Sequence, residues 1–112
     1  MRDGESPVFV QNPLGRLYDS MEFTLANGIS DYDVRANVTG AFENLPTYTT
    51  INIRTDQNLT LKVNSDGYRA MTIVDNRPFE LDNLMEIVEM YITNASGSTA
   101  NIKIIGVKKR II

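Results

Sequence analysis

The chain has 112 residues, of which 42% are hydrophobic and 22% are charged, and its net charge is -3. This length suits one domain, and the apolar share is sufficient for one hydrophobic core. An acidic balance disfavours nucleic-acid binding, which depends on clustered Lys and Arg, so we expect no nucleic-acid partner.

Neither His nor Cys occurs in the sequence. Their absence excludes disulfides, thiolate and imidazole metal sites, and Ser-His or Cys nucleophiles. Carboxylate or Lys chemistry survives in principle, but we predict no catalytic residue, no metal site and no cofactor, and we predict that the chain is not an enzyme. Acids and a proline occupy the first seven residues, where an export signal needs a basic start and an apolar run, and no stretch is apolar enough to span a membrane. We expect no membrane partner.

Residues 1–19 contain only short apolar pieces between Pro7, Pro13 and Gly15. We predict that this segment is an extended N-terminal arm. Apolar groups on such an arm bury little against their own domain, so docking on a neighbour is one interpretation and a flexible terminus is the other. The candidate interaction residues of the arm are Val8, Phe9, Val10 and Leu14.

The pattern from Ser20 to Val107 is one of short strands separated by turn residues, which is typical of a sandwich or barrel. Met21, Phe23 and Leu25 alternate with polar residues and predict a first strand with one buried face. A second strand is predicted over residues 31–37, followed by a loop or a single helical turn over residues 38–44.

Clear alternation predicts strands over residues 48–54 and 58–63, joined either by a hairpin or by a crossing between sheets. Residues 70–74 predict the next strand, and residues 79–81 predict a short strand or an ordered loop. The longest apolar segment, residues 84–93, is predicted to form a long hairpin with residues 99–107, whose isoleucines favour strands. The predicted fold is an all-β antiparallel β-sandwich of seven or eight strands, with a jelly roll as one arrangement.

Three groups of polar residues are candidates for ligand chemistry. Asp31 and Asp33 could contribute to a calcium site, although we favour a solvated strand edge. Glu86 and Glu89 lie on opposite faces of one predicted strand and cannot flank one glycosidic bond. Tyrosines could form a sugar-stacking or assembly surface, although core and rim positions would explain most of them: Tyr18, Tyr32, Tyr48, Tyr68 and Tyr91.

Residues 108–112 form a basic and then apolar tail on an acidic chain. This tail could pair with an acidic patch on a neighbour, and two terminal isoleucines favour docking over exposure to water. The candidate interaction residues are Lys108, Lys109, Arg110, Ile111 and Ile112.

Several segments of the sequence resemble small virion structural proteins of tailed bacteriophages. They are F-T-L-A-N-G at 23–28, T-I-N-I-R-T-D-Q at 50–57, L-T-L-K-V-N at 59–64 and Y-I-T-N-A-S-G-S-T-A-N-I-K-I at 91–104. The resemblance covers residues 20–107 and implies a β-sandwich subunit present in many copies on a capsid, with no cofactor or catalytic residues.

The function expected from this resemblance is that of a capsid decoration or cement protein, which binds the capsid lattice through its terminal arms. Its expected partners are the major capsid protein or other virion proteins, together with copies of itself, for example in a trimer. It would be made in the host cytoplasm and reside on the capsid surface. The alternatives are a neck or tail component and, from another class, a carbohydrate-binding β-sandwich module.

Overall fold

The computed structural model describes residues 18–65 and 70–108, with the backbone alone described for residues 83–85. Eight strands and one helical turn follow in chain order: β1 (Tyr18–Leu25), β2 (Tyr32–Asp33), α1 (Val34–Asn37), β3 (Tyr48–Thr55), β4 (Leu59–Val63), β5 (Met71–Ile73), β6 (Phe79–Ile87), β7 (Met90–Thr93) and β8 (Ala100–Val107). The strands form two four-stranded sheets, in the orders β1-β8-β3-β6 and β2-β7-β4-β5. All recorded pairings are antiparallel, so the predicted mostly β, antiparallel architecture is confirmed.

The core lies between the two sheets because each strand directs alternate side chains inward. In the first sheet, Met21 of β1 pairs with Ile104 of β8, and both are buried. In the second sheet, Leu61 of β4 pairs with the equally buried Ile92 of β7. These side chains belong to one continuous apolar cluster, which makes the arrangement sandwich-like.

The N-terminal boundary of the sheet differs slightly from the prediction. β1 begins at Tyr18, so the last two residues of the segment predicted as an arm belong to a strand. Residues 1–17 of that predicted arm lie outside the described residues.

The predicted second strand is wrong beyond its first residues. β2 contains only Tyr32 and Asp33, and residues 34–37 form the helical turn α1. Asp33 caps this turn by accepting a hydrogen bond from Ala36 N at 3.1 Å, which is the usual way a short polar side chain begins a helix. Arg35 holds the turn in place by donating to Pro46 O at 3.0 Å and Val88 O at 2.8 Å.

The predicted C-terminal hairpin is also wrong. Residues 84–93 do not form one strand: β6 ends at Ile87 in one sheet, and β7 begins at Met90 in the other. Asn64 fixes this change of sheet, because its side-chain oxygen accepts hydrogen bonds from Val88 N at 2.7 Å and Glu89 N at 3.3 Å. β7 therefore pairs with β4 and β2, and β8 pairs with β1 and β3.

The sequence left open whether residues 55–57 close a hairpin or cross between sheets, and the structure shows a crossing. β3 and β4 lie in different sheets, so the segment joins the two sheets and does not close a hairpin. Thr55 supports the turn by accepting a hydrogen bond from Gln57 N through its hydroxyl, at 3.2 Å.

A buried polar cluster anchors the loop between α1 and β3. The carboxylate of Asp19, which is only 2% exposed, accepts hydrogen bonds from Tyr48 Oη at 2.7 Å, Asn44 N at 2.9 Å and Leu45 N at 3.3 Å. Tyr48 Oη in turn accepts a hydrogen bond from Phe42 N at 2.7 Å. Each donor offsets part of the desolvation of the carboxylate, which makes its burial tolerable.

Among the described residues, no helix has the length and hydropathy needed to cross a membrane.

Candidate functional site

The residues predicted to contact a partner fall almost entirely outside the described part of the chain. This holds for Val8, Phe9, Val10 and Leu14 of the predicted arm and for Lys109, Arg110, Ile111 and Ile112 of the tail. Lys108 is described, and its ammonium lies 2.9 Å from the carboxylate of Glu86 in the same chain.

The Lys108 contact is part of a small exposed network. Thr47 Oγ1 donates a hydrogen bond to Glu86 at 3.0 Å, and the hydrogen bond from Lys108 is the main cause that lowers the pKa of Glu86. We predicted that the basic tail pairs with an acidic patch on a neighbour. At its first residue, Lys108, the partner is Glu86 of the same chain.

An open groove of about 570 Å³ lies on the outer face of the β1-β8-β3 part of the first sheet. One row of lining residues crosses the three strands: Glu22 of β1 pairs with Lys103 of β8, which pairs with Arg54 of β3. Directly opposed residues share a face of the sheet, and all three side chains are exposed.

The next row supplies the middle of the groove. Phe23, Ile102 and Thr55 oppose one another across the same strands, and they are half-buried or buried because their side chains belong to the opposite face. Beyond them, Thr24 pairs with Asn101, and both are exposed again. The groove therefore lies between two outward-facing rows of side chains.

Hydrogen bonds fix the far end of the groove. Asn101 donates from its backbone N to Asp56 Oδ1 at 2.8 Å and from its side-chain Nδ2 to Asp56 Oδ2 at 2.7 Å. These bonds stabilise the carboxylate and hold the pKa of Asp56 below its usual range. Asn76, which also lines the groove, is positioned by a hydrogen bond from its backbone N to Thr55 O at 2.8 Å.

The charges of the groove are unevenly paired. Lys103 lies 3.7 Å from Glu22, and the two side chains are 51% and 71% exposed. Arg54 has no ion pair with any residue that the structure describes. A guanidinium with no ion pair among the described residues, beside a loosely paired ammonium, gives this row of the groove a local positive charge.

The two aspartates considered for calcium have structural partners. Asp31 forms an ion pair with Lys62 at 3.3 Å, and Asp33 caps α1 as described above. Within the described ranges there is no cluster of three or more carboxylates of the kind that holds a metal ion.

The four tyrosines that the structure describes do not form one exposed surface. Tyr48 is fully buried, Tyr32 and Tyr91 are half-buried, and Tyr18 is 42% exposed, while Tyr68 lies outside the described residues. Tyr48 is buried because its hydroxyl joins the Asp19 cluster and its ring packs against Phe42 with centroids 4.3 Å apart. The groove was not predicted from the sequence, because its residues converge only through the pairing of three strands distant in sequence.

The sequence matches no protein-family model and no curated protein. The fold is similar to that of a de novo designed double-stranded β-helix, with a TM-score of 0.50 and 12% identity over 76% of this chain and 94% of the designed one. It is also similar to an RmlC-like cupin family protein with a double-stranded β-helix fold from Methanocaldococcus jannaschii, with a TM-score of 0.52 and 9% identity over 83% of this chain and 72% of that protein. At these identities the likeness establishes the fold alone.

The second likeness corrects the prediction that the chain is not an enzyme. One fold can support many unrelated chemistries, so a fold shared with an RmlC-like cupin family protein gives no ground for excluding catalysis. The prediction that the chain is not an enzyme is therefore wrong, because the missing His and Cys exclude only imidazole and thiol chemistry, and carboxylate, Lys and Tyr chemistry remains available on this fold. The comparisons assign no reaction to the chain, and what they establish is a mostly β, double-stranded β-helix-like fold.

Proposed function

We propose that this chain is a jelly-roll subunit of a tailed-phage virion, bound to the capsid lattice as a decoration or cement protein. The observation that carries the proposal is the strand order, β1-β8-β3-β6 packed on β2-β7-β4-β5. This order supports a jelly roll, a plan of eight strands in two sheets that recurs in viral capsid domains as well as in lectins and cupins.

The packed interior is consistent with this role. The sheets meet through fully buried apolar side chains, such as Ile53, Leu61 and Ile104, which fill the space between them. Contacts with a capsid would then be made from the outer faces and from the termini, where residues 1–17 and 109–112 carry the apolar groups named above. Lattice symmetry multiplies weak contacts of this kind into stable binding.

The partners in this proposal are the major capsid protein and further copies of the chain, with a trimer as one arrangement, on the capsid surface of particles assembled in the host cytoplasm. A neck or tail position is the alternative within the same class. It would place the chain at a single vertex and not over the whole lattice.

Add-back to particles tests the proposal. Particles of the encoding phage that lack the chain are mixed with the full-length protein or with a variant lacking residues 1–16, and bound copies are measured after sedimentation. The full-length protein should saturate many sites per particle, and the deletion should weaken binding by about tenfold or more while circular dichroism shows a folded domain.

A second variant, Lys108→Gln, serves as the matched control. Because Lys108 is already paired with Glu86 in the same chain, its loss should change occupancy little. Equal occupancy by the deletion variant and the full-length protein would remove the arm from the proposal, and no binding by the full-length protein would overturn the capsid role itself.

A further inference from the structure

We propose that the outer-face groove of the β1-β8-β3 strands binds a small carboxylate-bearing saccharide, that is, a sugar acid. This inference does not depend on the virion role, since it follows from the chemistry of the groove. The volume of about 570 Å³ falls within the range of small-molecule sites.

The carboxylate is inferred from two neighbouring cations. Arg54 and Lys103 are directly opposed across β3 and β8, and like charges in that position repel each other. Glu22 compensates Lys103 at a loose 3.7 Å, and Arg54 has no ion pair with a described residue. Two cations and one carboxylate give the lining residues a charge of +1 on a chain whose net charge is -3.

A carboxylate placed between the two cations would relieve their repulsion. The guanidinium of Arg54 offers parallel donors that match both carboxylate oxygens, and Lys103 adds a point charge. Asp56 does not line the groove, and both of its carboxylate oxygens accept hydrogen bonds from Asn101.

The polar neutral groups of the groove match sugar hydroxyls. Thr24 and Asn76 are exposed lining residues, and their hydroxyl and amide groups can each donate and accept hydrogen bonds. The side-chain oxygen of Asn101 offers a further acceptor, since its Nδ2 is the atom that bonds Asp56. Neutral donors and acceptors beside a cation pair suit a hydroxylated carboxylate better than a bare inorganic anion.

Titration with trigalacturonate, followed by amide chemical shifts and calorimetry, tests the proposal. Its neutral counterpart galactotriose and inorganic phosphate are the comparison ligands. Trigalacturonate should bind and should shift the amide resonances of Thr24, Arg54, Asn76 and Lys103. Its affinity should fall as salt is added. Arg54→Gln should weaken it by about tenfold.

Two further variants separate the site from general charge effects. Glu22→Gln should strengthen binding by about twofold to fivefold, because it removes the internal competitor for Lys103. Lys62→Gln, which removes a cation from the other sheet, should leave binding unchanged. Absence of binding, equal binding of galactotriose or phosphate, or weaker binding by Glu22→Gln would each overturn the proposal.

Discussion

Asp19 is an acidic residue buried in the core, and its surroundings explain how the fold accommodates it. Three donors surround its carboxylate, and one of them, Tyr48 Oη, is itself held by Phe42 N. Alternation along β1 places position 19 on the inward face together with Met21, but nothing in the sequence identifies the donors, which lie 25 to 29 residues away.

The hydroxyl of Tyr48 should make the protein sensitive to alkali. Burial and the hydrogen bond to Asp19 raise the pKa of Tyr48 well above its ordinary 10.0. Because the folded pKa is the higher one, this contribution to stability is complete below about pH 10 and is lost as the pH rises further and the unfolded chain ionises first. Between pH 8 and pH 11 the free energy of unfolding should therefore fall by about 1 kcal/mol less in Tyr48→Phe than in the wild type.

Urea denaturation at the two pH values measures this difference. At pH 8 the same variant should be less stable than the wild type by about 1–3 kcal/mol, since the carboxylate of Asp19 and the amide of Phe42 each lose a partner. An identical pH dependence in the two proteins would contradict this prediction, because it would mean that Tyr48 ionises as readily in the folded protein as in the unfolded chain.

Position 106 requires glycine because the ring of Tyr48 packs directly against its backbone. A Cβ at this position would lie 2.6 Å from three ring carbons, closer than packed atoms can approach, and glycine in a strand often marks such an approach. Gly106→Ala should lower the free energy of unfolding by about 1–3 kcal/mol through overpacking. In a Tyr48→Leu background the cost should shrink, and a double-mutant cycle with no coupling would contradict the assignment.

At the scale of elements, Asn64 determines where the chain changes sheets. Its side chain accepts from Val88 N and Glu89 N and donates to Glu86 O at 3.0 Å, and its φ of 66° lies in the left-handed region. The long apolar run of residues 84–93 is divided at this point, although its composition predicts one continuous strand.

Two substitutions separate these roles of Asn64. Asn64→Gly keeps the backbone conformation and removes the hydrogen bonds, whereas Asn64→Ala also strains the backbone by about 1 kcal/mol. Amide exchange at Val88 and Glu89 should accelerate in both variants, and the alanine variant should be the less stable. Unchanged exchange at both amides would mean that the β6–β7 connection is held by other contacts.

At the scale of the whole molecule, the sequence predicts well what local alternation controls. The inward positions Met21 and Leu25 were predicted correctly, because a period of two residues is sufficient to identify a buried face. The assignment of strands to sheets was not predictable, since it depends on contacts such as that of Asn64 with Val88, 24 residues apart. The groove was missed for the same reason, as Glu22, Arg54 and Lys103 meet only in the paired sheet.

The proposed place of this domain is the surface of a phage capsid. Electron cryomicroscopy of purified particles of the encoding phage, compared with particles from which the gene is deleted, tests it most directly. The proposed role predicts density that repeats with the capsid lattice, fits the two four-stranded sheets and disappears in the deletion particles. Particles that are identical in the two preparations would contradict it.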